Sequence, residues 1–320
     1  MGTVTVMPTT GADSVTLGQA TDRFLRRDAF EPSTRQAYRR TLQILLDEFD
    51  ADRPVTAITR DDLDDLLTGR WGKAAATTFN RHRAALLSFF GWVHQRGWTP
   101  ANPAAGTEAR KVRRRTEDER RDRPLTLVML EQLWRLPGIP GRDRLLWRMA
   151  YETWARAEEL LGLNIEDLDV GLREGIVTGK GGDRQAVFWA TGTARLLPRV
   201  IGTRTAGPLF LAAKRPTRPM PTTDLDPETG RARLSYRQAA RLFAAAGARI
   251  DPTGPPWTLH RLRHAGITHA VEAGWSLAQV RAKSRHASLR SLEVYTNPSA
   301  ASVAAMTAAL DPEARRKPRG

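Results

Sequence analysis

Cysteine is missing from this sequence: none of the 320 residues carries a thiol. The absence excludes disulfide bonds, thiolate metal ligands and a cysteine nucleophile. No uninterrupted apolar run is long enough to span a bilayer, and the first residues lack the basic and apolar segments of a secretion signal. We therefore expect a cytoplasmic protein without a membrane partner.

Acidic residues are too few to balance the basic ones. The chain has 50 Lys and Arg against 35 Asp and Glu, which gives a net charge of +15. Such a surface gains affinity for a polyanion by releasing counterions, so nucleic acid is the expected partner. The alternative, which charge alone does not exclude, is that the chain is simply rich in arginine and that these side chains are solvated on its surface. The length and a 41% hydrophobic content predict two folded domains.

Helical periodicity dominates residues 16–105, which follow a polar leader at residues 1–15. Four helices are predicted there. In the second, apolar residues recur at the three- and four-residue spacing of an amphipathic helix. Ser33 and Thr34, which precede that stripe, are predicted to cap the helix.

The third and fourth helices are marked by their first residues. Thr59 and Asp62 have the spacing of a capping box, which predicts a short helix beginning there. The fourth helix is predicted over residues 75–96, with Arg81 and Arg83 near its start. We expect this basic pair to contact DNA phosphates.

Residues 106–124 are predicted to be a linker. The helical pattern breaks there, and a basic run that includes Arg113, Arg114 and Arg115 follows. A basic linker between two basic domains suits a protein that closes around a duplex, so we expect these three arginines to bind DNA. Solvated chain is the alternative. A second basic segment, residues 311–320, is predicted to be a tail.

The second domain, residues 125–310, combines helices with one β-hairpin. Strand-forming residues flank a glycine-rich turn over residues 175–189. Helices are predicted over residues 127–136, 142–154, 157–163, 262–273, 277–283 and 300–310, and another begins at Ser235. The expected fold class is mostly α with a small β-sheet, in which a helical N-terminal domain precedes an α+β C-terminal domain.

His260 and Arg263 lie three positions apart, so on a helix they share one face. An imidazole and a guanidinium placed together can bind a phosphate, although such a pair alone is more often a solvated surface. Two further residues stand downstream: His286 and, nine positions later, Tyr295. Upstream, Arg156 stands in Thr-Trp-Ala-Arg-Ala-Glu-Glu-Leu-Leu-Gly-Leu, and a lysine stands in Val-Thr-Gly-Lys-Gly-Gly.

This set of motifs, in this order and at this spacing, resembles that of the tyrosine recombinases, the phage-integrase family. The resemblance extends over residues 15–310. It implies a four-helix, SAM-like core-binding domain followed by a tyrosine-recombinase catalytic domain. It also implies an active site of six residues, namely Arg156, Lys180, His260, Arg263, His286 and Tyr295.

Most residues of this set suit one step of phosphoryl transfer by their own chemistry. A guanidinium binds two phosphate oxygens at once, so Arg156 and Arg263 are expected to stabilise the developing negative charge. The phenol of Tyr295 has an ordinary pKa of about 10 and needs a base in order to attack phosphorus near neutral pH. His260 is the expected base, and His286 is expected to hydrogen-bond the phosphate.

The family's mechanism completes the expected reaction. It implies that Lys180 protonates a 5′-hydroxyl leaving group and that the product is a 3′-phosphotyrosyl enzyme, so religation needs neither ATP nor a metal. Glu159 is expected to orient the basic groups. His260, His264 and His269 could be imagined as zinc ligands, but the six-residue match accounts for His260 better, so we expect no metal and no cofactor.

Partners follow from the same resemblance. The expected substrate is double-stranded DNA with specific recombination sites, bound by a homo-tetramer, and an accessory directionality factor is a further possible partner. Two other functions stay open at this point. One is a type IB topoisomerase, which relaxes a single duplex through a similar intermediate. The other is a catalytically silent DNA-binding protein on the same fold.

Two residues depart from the family's pattern. Trp154 and Arg285 each stand where the family commonly has glycine. Neither is expected to supply catalytic atoms, although Trp154 is large enough that it could crowd Arg156. A proline-rich insert at residues 214–228 is also atypical of the family.

Overall fold

The computed structural model describes residues 15–112, 124–179, 181–286, 292 and 307–308. They fall into two compact units that divide between residues 114 and 115. The predicted tail, all of the predicted leader except Val15, most of the predicted linker and nearly all of the predicted C-terminal helix lie outside the described residues. Among the helices that are described, none has the length and apolar character that crossing a membrane requires.

Four α-helices build the described part of the first unit: α1 (Leu17–Leu25), α2 (Pro32–Phe49), α3 (Arg60–Trp71) and α4 (Ala76–Gln95). Short 3-10 turns lie at Val55–Ala57 and Pro103–Gly106. The apolar faces of the helices meet in one core that includes Phe24, Leu42 and Phe89. Burial of these faces stabilises helices that would be marginal alone. The predicted four-helix arrangement is confirmed.

The beginnings of α2 and α3 show one correct and one wrong prediction. Thr59 Oγ1 accepts a hydrogen bond from the backbone N–H of Asp62 at 3.2 Å, and the Asp62 carboxylate accepts from the backbone N–H of Thr59 at 2.9 Å. The predicted capping box is therefore confirmed. Ser33 and Thr34 do not cap α2, because the helix already begins at Pro32. Proline suits the first helical position, since its fixed φ is helical and it has no N–H to satisfy.

The second unit is mostly helical. The α-helices in the described part of it are α5 (Leu127–Arg135), α6 (Gly141–Thr153), α7 (Ala157–Leu161), α8 (Thr191–Ile201), α9 (Tyr236–Ile250), α10 (His260–Glu272) and α11 (Leu277–Ser284). Short 3-10 turns lie at Ile165–Asp167 and Thr222–Asp224. Helix α6 packs against both α8 and α10. Trp147 of α6 is buried against Phe243 of α9, with ring centroids 5.3 Å apart.

Helix α8 is not predicted by the sequence, because it contains Gly192 and Pro198, both poor helix formers. Its beginning is stabilised by a residue distant in the chain. The Glu152 carboxylate at the end of α6 accepts hydrogen bonds from the backbone N–H groups of Ala190 and Thr193, at 3.0 and 3.1 Å. A negative charge at this position also interacts favourably with the helix dipole.

Three short antiparallel strands form the sheet in the described part of this unit, in the order β1 (Leu168–Asp169), β2 (Glu174–Thr178) and β3 (Arg184–Phe188). Residue Glu174 pairs with Phe188, and Thr178 pairs with Arg184. The predicted hairpin is confirmed, and β1 adds a third strand to it. The expected fold class, mostly α with a small β-sheet, is confirmed as well.

Candidate active site

Arg263 lies in the first turn of α10 and is 2% exposed. Its guanidinium donates hydrogen bonds to the backbone carbonyl of Trp154, which ends α6, and to that of Ser284 in α11, the latter at 2.7 Å. A buried guanidinium needs such acceptors, since its charge cannot be neutralised by loss of a proton. Arg263 therefore joins the ends of two helices to α10.

His286 follows α11 and is adjacent to Arg263. Its Nε2 lies 3.3 Å from Nη2 of Arg263, and its Nδ1 lies 2.6 Å from Oγ of Ser284. Because a guanidinium can only donate, the contact assigns Nε2 as acceptor and Nδ1 as the protonated nitrogen. Burial, followed by the positive charges of Arg263 and Arg156, lowers the pKa of His286 to about 4. The imidazole is therefore neutral near pH 7.

Arg156 and Glu159 stand at the start of α7, where they bind each other twice. Glu159 Oε1 accepts a hydrogen bond from Nη1 of Arg156 at 2.8 Å, and Oε2 accepts from its backbone N–H at 2.9 Å. Burial favours the neutral acid, but hydrogen bonds from Arg156 and nearby guanidinium charges outweigh it and lower the pKa of Glu159. The Arg156 side chain is 52% exposed, so an incoming phosphate can reach it.

Two of the predicted elements remain, namely His260 and the turn between β2 and β3. His260 is the first residue of α10 and is exposed, and its charge is among those that lower the pKa of His286. In the β2–β3 turn, Gly181 and Gly182 have φ values of +94° and +87°. Such values require glycine. Lys180 and Tyr295 themselves lie outside the described residues.

Trp154 and Arg285, the two departures from the family's glycines, share a backbone conformation. Both are left-handed, with φ of 56° and 57°, which explains why glycine is favoured at these positions. The indole of Trp154 lies against Gly266, where a Cβ atom would come within 2.5 Å of it, and its ring centroid is 5.4 Å from that of Trp275. Trp154 thus packs against α10, while its carbonyl accepts from Arg263.

Sequence reasoning missed the contribution of Arg285. Its Nη2 donates to Oε2 of Glu159 at 2.6 Å, so this side chain and Arg156 share one carboxylate. The signal in the sequence was a charged residue at a position where the family has glycine. The sequence could not show that the Arg285 side chain reaches Glu159, because the two residues lie 126 positions apart in the chain.

Arg81 and Arg83, the predicted DNA contacts on α4, differ in their surroundings. Arg81 is exposed on α4. The guanidinium of Arg83 donates to the backbone carbonyl of Thr107 through Nε and Nη2, at 2.9 and 2.6 Å. Arg83 therefore already has a protein acceptor within its own unit. The predicted contacts at Arg113, Arg114 and Arg115 lie outside the described residues.

Two family models match this sequence. Residues 129–302 match the model described as Phage integrase family. Residues 17–100 match the model described as Phage integrase, N-terminal SAM-like domain. The two matched segments correspond to the catalytic unit and to the four-helix unit.

Relatives and solved structures of the same kind cover most of the chain. Tyrosine recombinase XerC of Mycobacterium tuberculosis is 31% identical over 294 residues, 88% of this chain and 93% of that protein. The Tn1549 transposon integrase, solved in complex with a circular intermediate DNA, has a TM-score of 0.69 at 17% identity and covers 93% of this chain and 100% of its own. A lambda integrase tetramer bound to a Holliday junction has a TM-score of 0.66 at 20% identity, covering 86% of this chain and 78% of its own. These structures share the fold.

Proposed function

Because this chain belongs to the phage integrase family and is a tyrosine site-specific recombinase, we propose that Tyr295 is the nucleophile that breaks and rejoins its DNA strands. The observation that carries the proposal is the convergence of Arg156, Arg263, His260 and His286. These residues come together from separate stretches of the chain. Arg156 lies at the start of α7, His260 and Arg263 lie in α10, and His286 follows α11.

The electrostatics of this cluster suit an anionic phosphorus centre. Two guanidinium groups that cannot lose their charge lie close to one neutral imidazole. Positive groups held in place in a partly desolvated site stabilise charge that develops on the nonbridging oxygens of a phosphodiester. Arg156, being half exposed, is suited to bind the phosphate, and Arg263 is suited to hold His286 beside it.

The proposed reaction exchanges one phosphoester for another. Tyr295 attacks phosphorus, His260 accepts the phenolic proton, and the bond to the 5′-oxygen of the DNA breaks. Lys180 donates a proton to that leaving oxygen. Reversal of these steps with a different 5′-hydroxyl joins the strand to a new partner. Since every positive charge in this scheme comes from a side chain, cleavage is expected to continue in EDTA.

Double-stranded DNA with specific recombination sites is the proposed substrate. The net charge of +15 supports it, as do the solved relatives, which include an integrase bound to a circular intermediate DNA and a tetramer bound to a Holliday junction. We extend the proposal to a homo-tetramer of this chain on DNA, because recombination exchanges four strands. An accessory directionality factor belongs to the same proposal.

A nicked suicide substrate tests the nucleophile. After cleavage next to the nick, the short fragment that carries the free 5′-hydroxyl diffuses away, so wild-type protein should accumulate a DNA adduct that resists denaturant, with or without EDTA. Tyr295→Phe should bind the same DNA and form no adduct. An adduct that persists in Tyr295→Phe contradicts the assignment. A wild type that binds DNA without ever forming an adduct favours the silent DNA-binding alternative.

A further inference from the structure

Arg285 belongs to the site, yet none of the six family positions accounts for it. It ends α11 with φ of 57°, a conformation that favours glycine. The side chain is 7% exposed, and its Nε and Nη1 atoms are buried without a hydrogen-bond partner among the described residues. A left-handed backbone and a buried, incompletely paired guanidinium both disfavour folding. Stability therefore does not explain why arginine stands at this position.

Arg285 binds the same carboxylate that holds Arg156. Glu159 Oε2 accepts from Nη2 of Arg285 at 2.6 Å, and Oε1 accepts from Nη1 of Arg156 at 2.8 Å. The Glu159 side chain is 6% exposed, so these bonds, and not solvent, determine its orientation. Charge-assisted hydrogen bonds of this length are among the stronger polar contacts in a protein.

Arg156 depends on this arrangement more than Arg263 does. Arg263 is buried and donates to two backbone carbonyls, whereas the half-exposed guanidinium of Arg156 is ion-paired with Glu159. A long, exposed side chain samples many rotamers unless a fixed partner restricts it. Whatever fixes the Glu159 carboxylate therefore also fixes the guanidinium of Arg156.

We propose that Arg285 is a positioning residue for strand cleavage, which holds the Arg156 guanidinium, through the Glu159 carboxylate, in the orientation that binds the scissile phosphate. This role rests on the proposed function of the site. Because Arg285 is buried, it acts through Glu159 and not by contacting DNA. The charge of Arg285 also reaches His286, where it is one of those that lower the pKa of the imidazole.

Substitution of Arg285 by glycine separates positioning from folding. Glycine suits the left-handed backbone, so Arg285→Gly should unfold at the same urea concentration as wild type or a higher one. With the suicide substrate at saturating concentration, its cleavage rate constant should fall roughly 10- to 100-fold, while its affinity for a half-site changes less than about twofold. Arg285→Lys keeps the charge and should recover part of the lost rate.

Arg173 provides a matched control. It is another arginine with φ of 57°, and it is exposed, at the turn before β2. Arg173→Gly relieves the same backbone conformation and removes the same charge. It should cleave at the wild-type rate, so a loss specific to Arg285→Gly reports on the site itself.

The route through Glu159 is tested by combining substitutions. If Arg285 acts by holding Glu159, then Glu159→Gln and the double variant Glu159→Gln, Arg285→Gly should cleave at the same reduced rate. A further loss in the double variant, or a wild-type rate in Arg285→Gly alone, overturns the positioning role. Absence of any adduct in the wild type contradicts the proposed function instead, whereas a normal wild-type adduct with an unimpaired Arg285→Gly contradicts only the role of Arg285.

Discussion

In the four-helix unit, Arg83 donates to the carbonyl of Thr107 and Arg110 donates to that of Gly72, so both bind the backbone of their own unit. In the catalytic unit, Arg156 and Arg285 share the carboxylate of Glu159. The first pair ties the segment after α4 to α3 and α4. The second pair places two positive charges close to His286, and both charges help to lower the pKa of its imidazole. The arginines behind the net charge of +15 therefore include some that hold the fold together and others that we propose act on the substrate, and charge alone does not tell which arginine does which.

Among these variants, substitution of Arg263 should have the largest effect, and that effect should be on the rate of cleavage. Arg263→Gln removes a charge beside His286, and removal of one such electrostatic group costs about 100- to 1000-fold in rate. We expect that decrease in adduct formation at saturating DNA, at a temperature where circular dichroism shows the variant folded. A rate within about threefold of wild type would place Arg263 among the arginines that only hold the fold together.

Loss of Arg83 should have the opposite outcome. Arg83→Gln gives up charge-assisted bonds to Thr107, which lowers the free energy of unfolding of the first unit by about 1.5–3 kcal/mol. Cleavage at saturating DNA should be unchanged. Arg81→Gln, an exposed neighbour on the same helix, is the control and should change stability by less than about 0.5 kcal/mol. If Arg83→Gln keeps its stability and loses DNA affinity, the guanidinium of Arg83 binds DNA and does not stabilise the fold.

The pH dependence of stability tests the electrostatic environment of His286 in the catalytic unit. Its pKa is about 4 in the folded protein and about 6.5 when unfolded. As the pH falls from about 6.5 to 4, the unfolded chain gains a proton there that the folded chain does not, so stability is lost in this window and is fully present above it. The difference in unfolding free energy between DNA-free wild type and His286→Gln should shrink as the pH falls through this window. A difference that grows would mean a raised pKa.

Local features of this fold could be predicted from sequence, and features made by distant residues could not. The capping box of Thr59 was predictable because both partners lie within four residues. The start of α8 was not, because Glu152 stabilises it from another helix. In the candidate site, spacing placed His260 and Arg263 on one helix. The contact of Arg263 with His286 spans 23 positions, and only the family resemblance anticipated it.

Arg285 shows the limit of that resemblance. The resemblance predicts no role for Arg285, because the family commonly has glycine there and glycine supplies no side-chain atoms. Only the fold shows that a left-handed residue at the end of α11 directs its side chain to Glu159. The predicted roles of Lys180 and Tyr295 rest on their motifs, since both residues lie outside the described part of the chain.

Identification of the residue that carries the DNA tests the central claim most directly. The sequence offers 4 tyrosines, of which Tyr38 is hydrogen-bonded to Ser88 at 3.2 Å and Tyr151 to His269 at 3.1 Å. Wild-type adduct from the suicide substrate, digested with protease and nuclease, should yield in mass spectrometry one nucleotide-modified peptide, linked through a 3′-phosphate on Tyr295. A modified peptide that maps to any other residue would contradict the account.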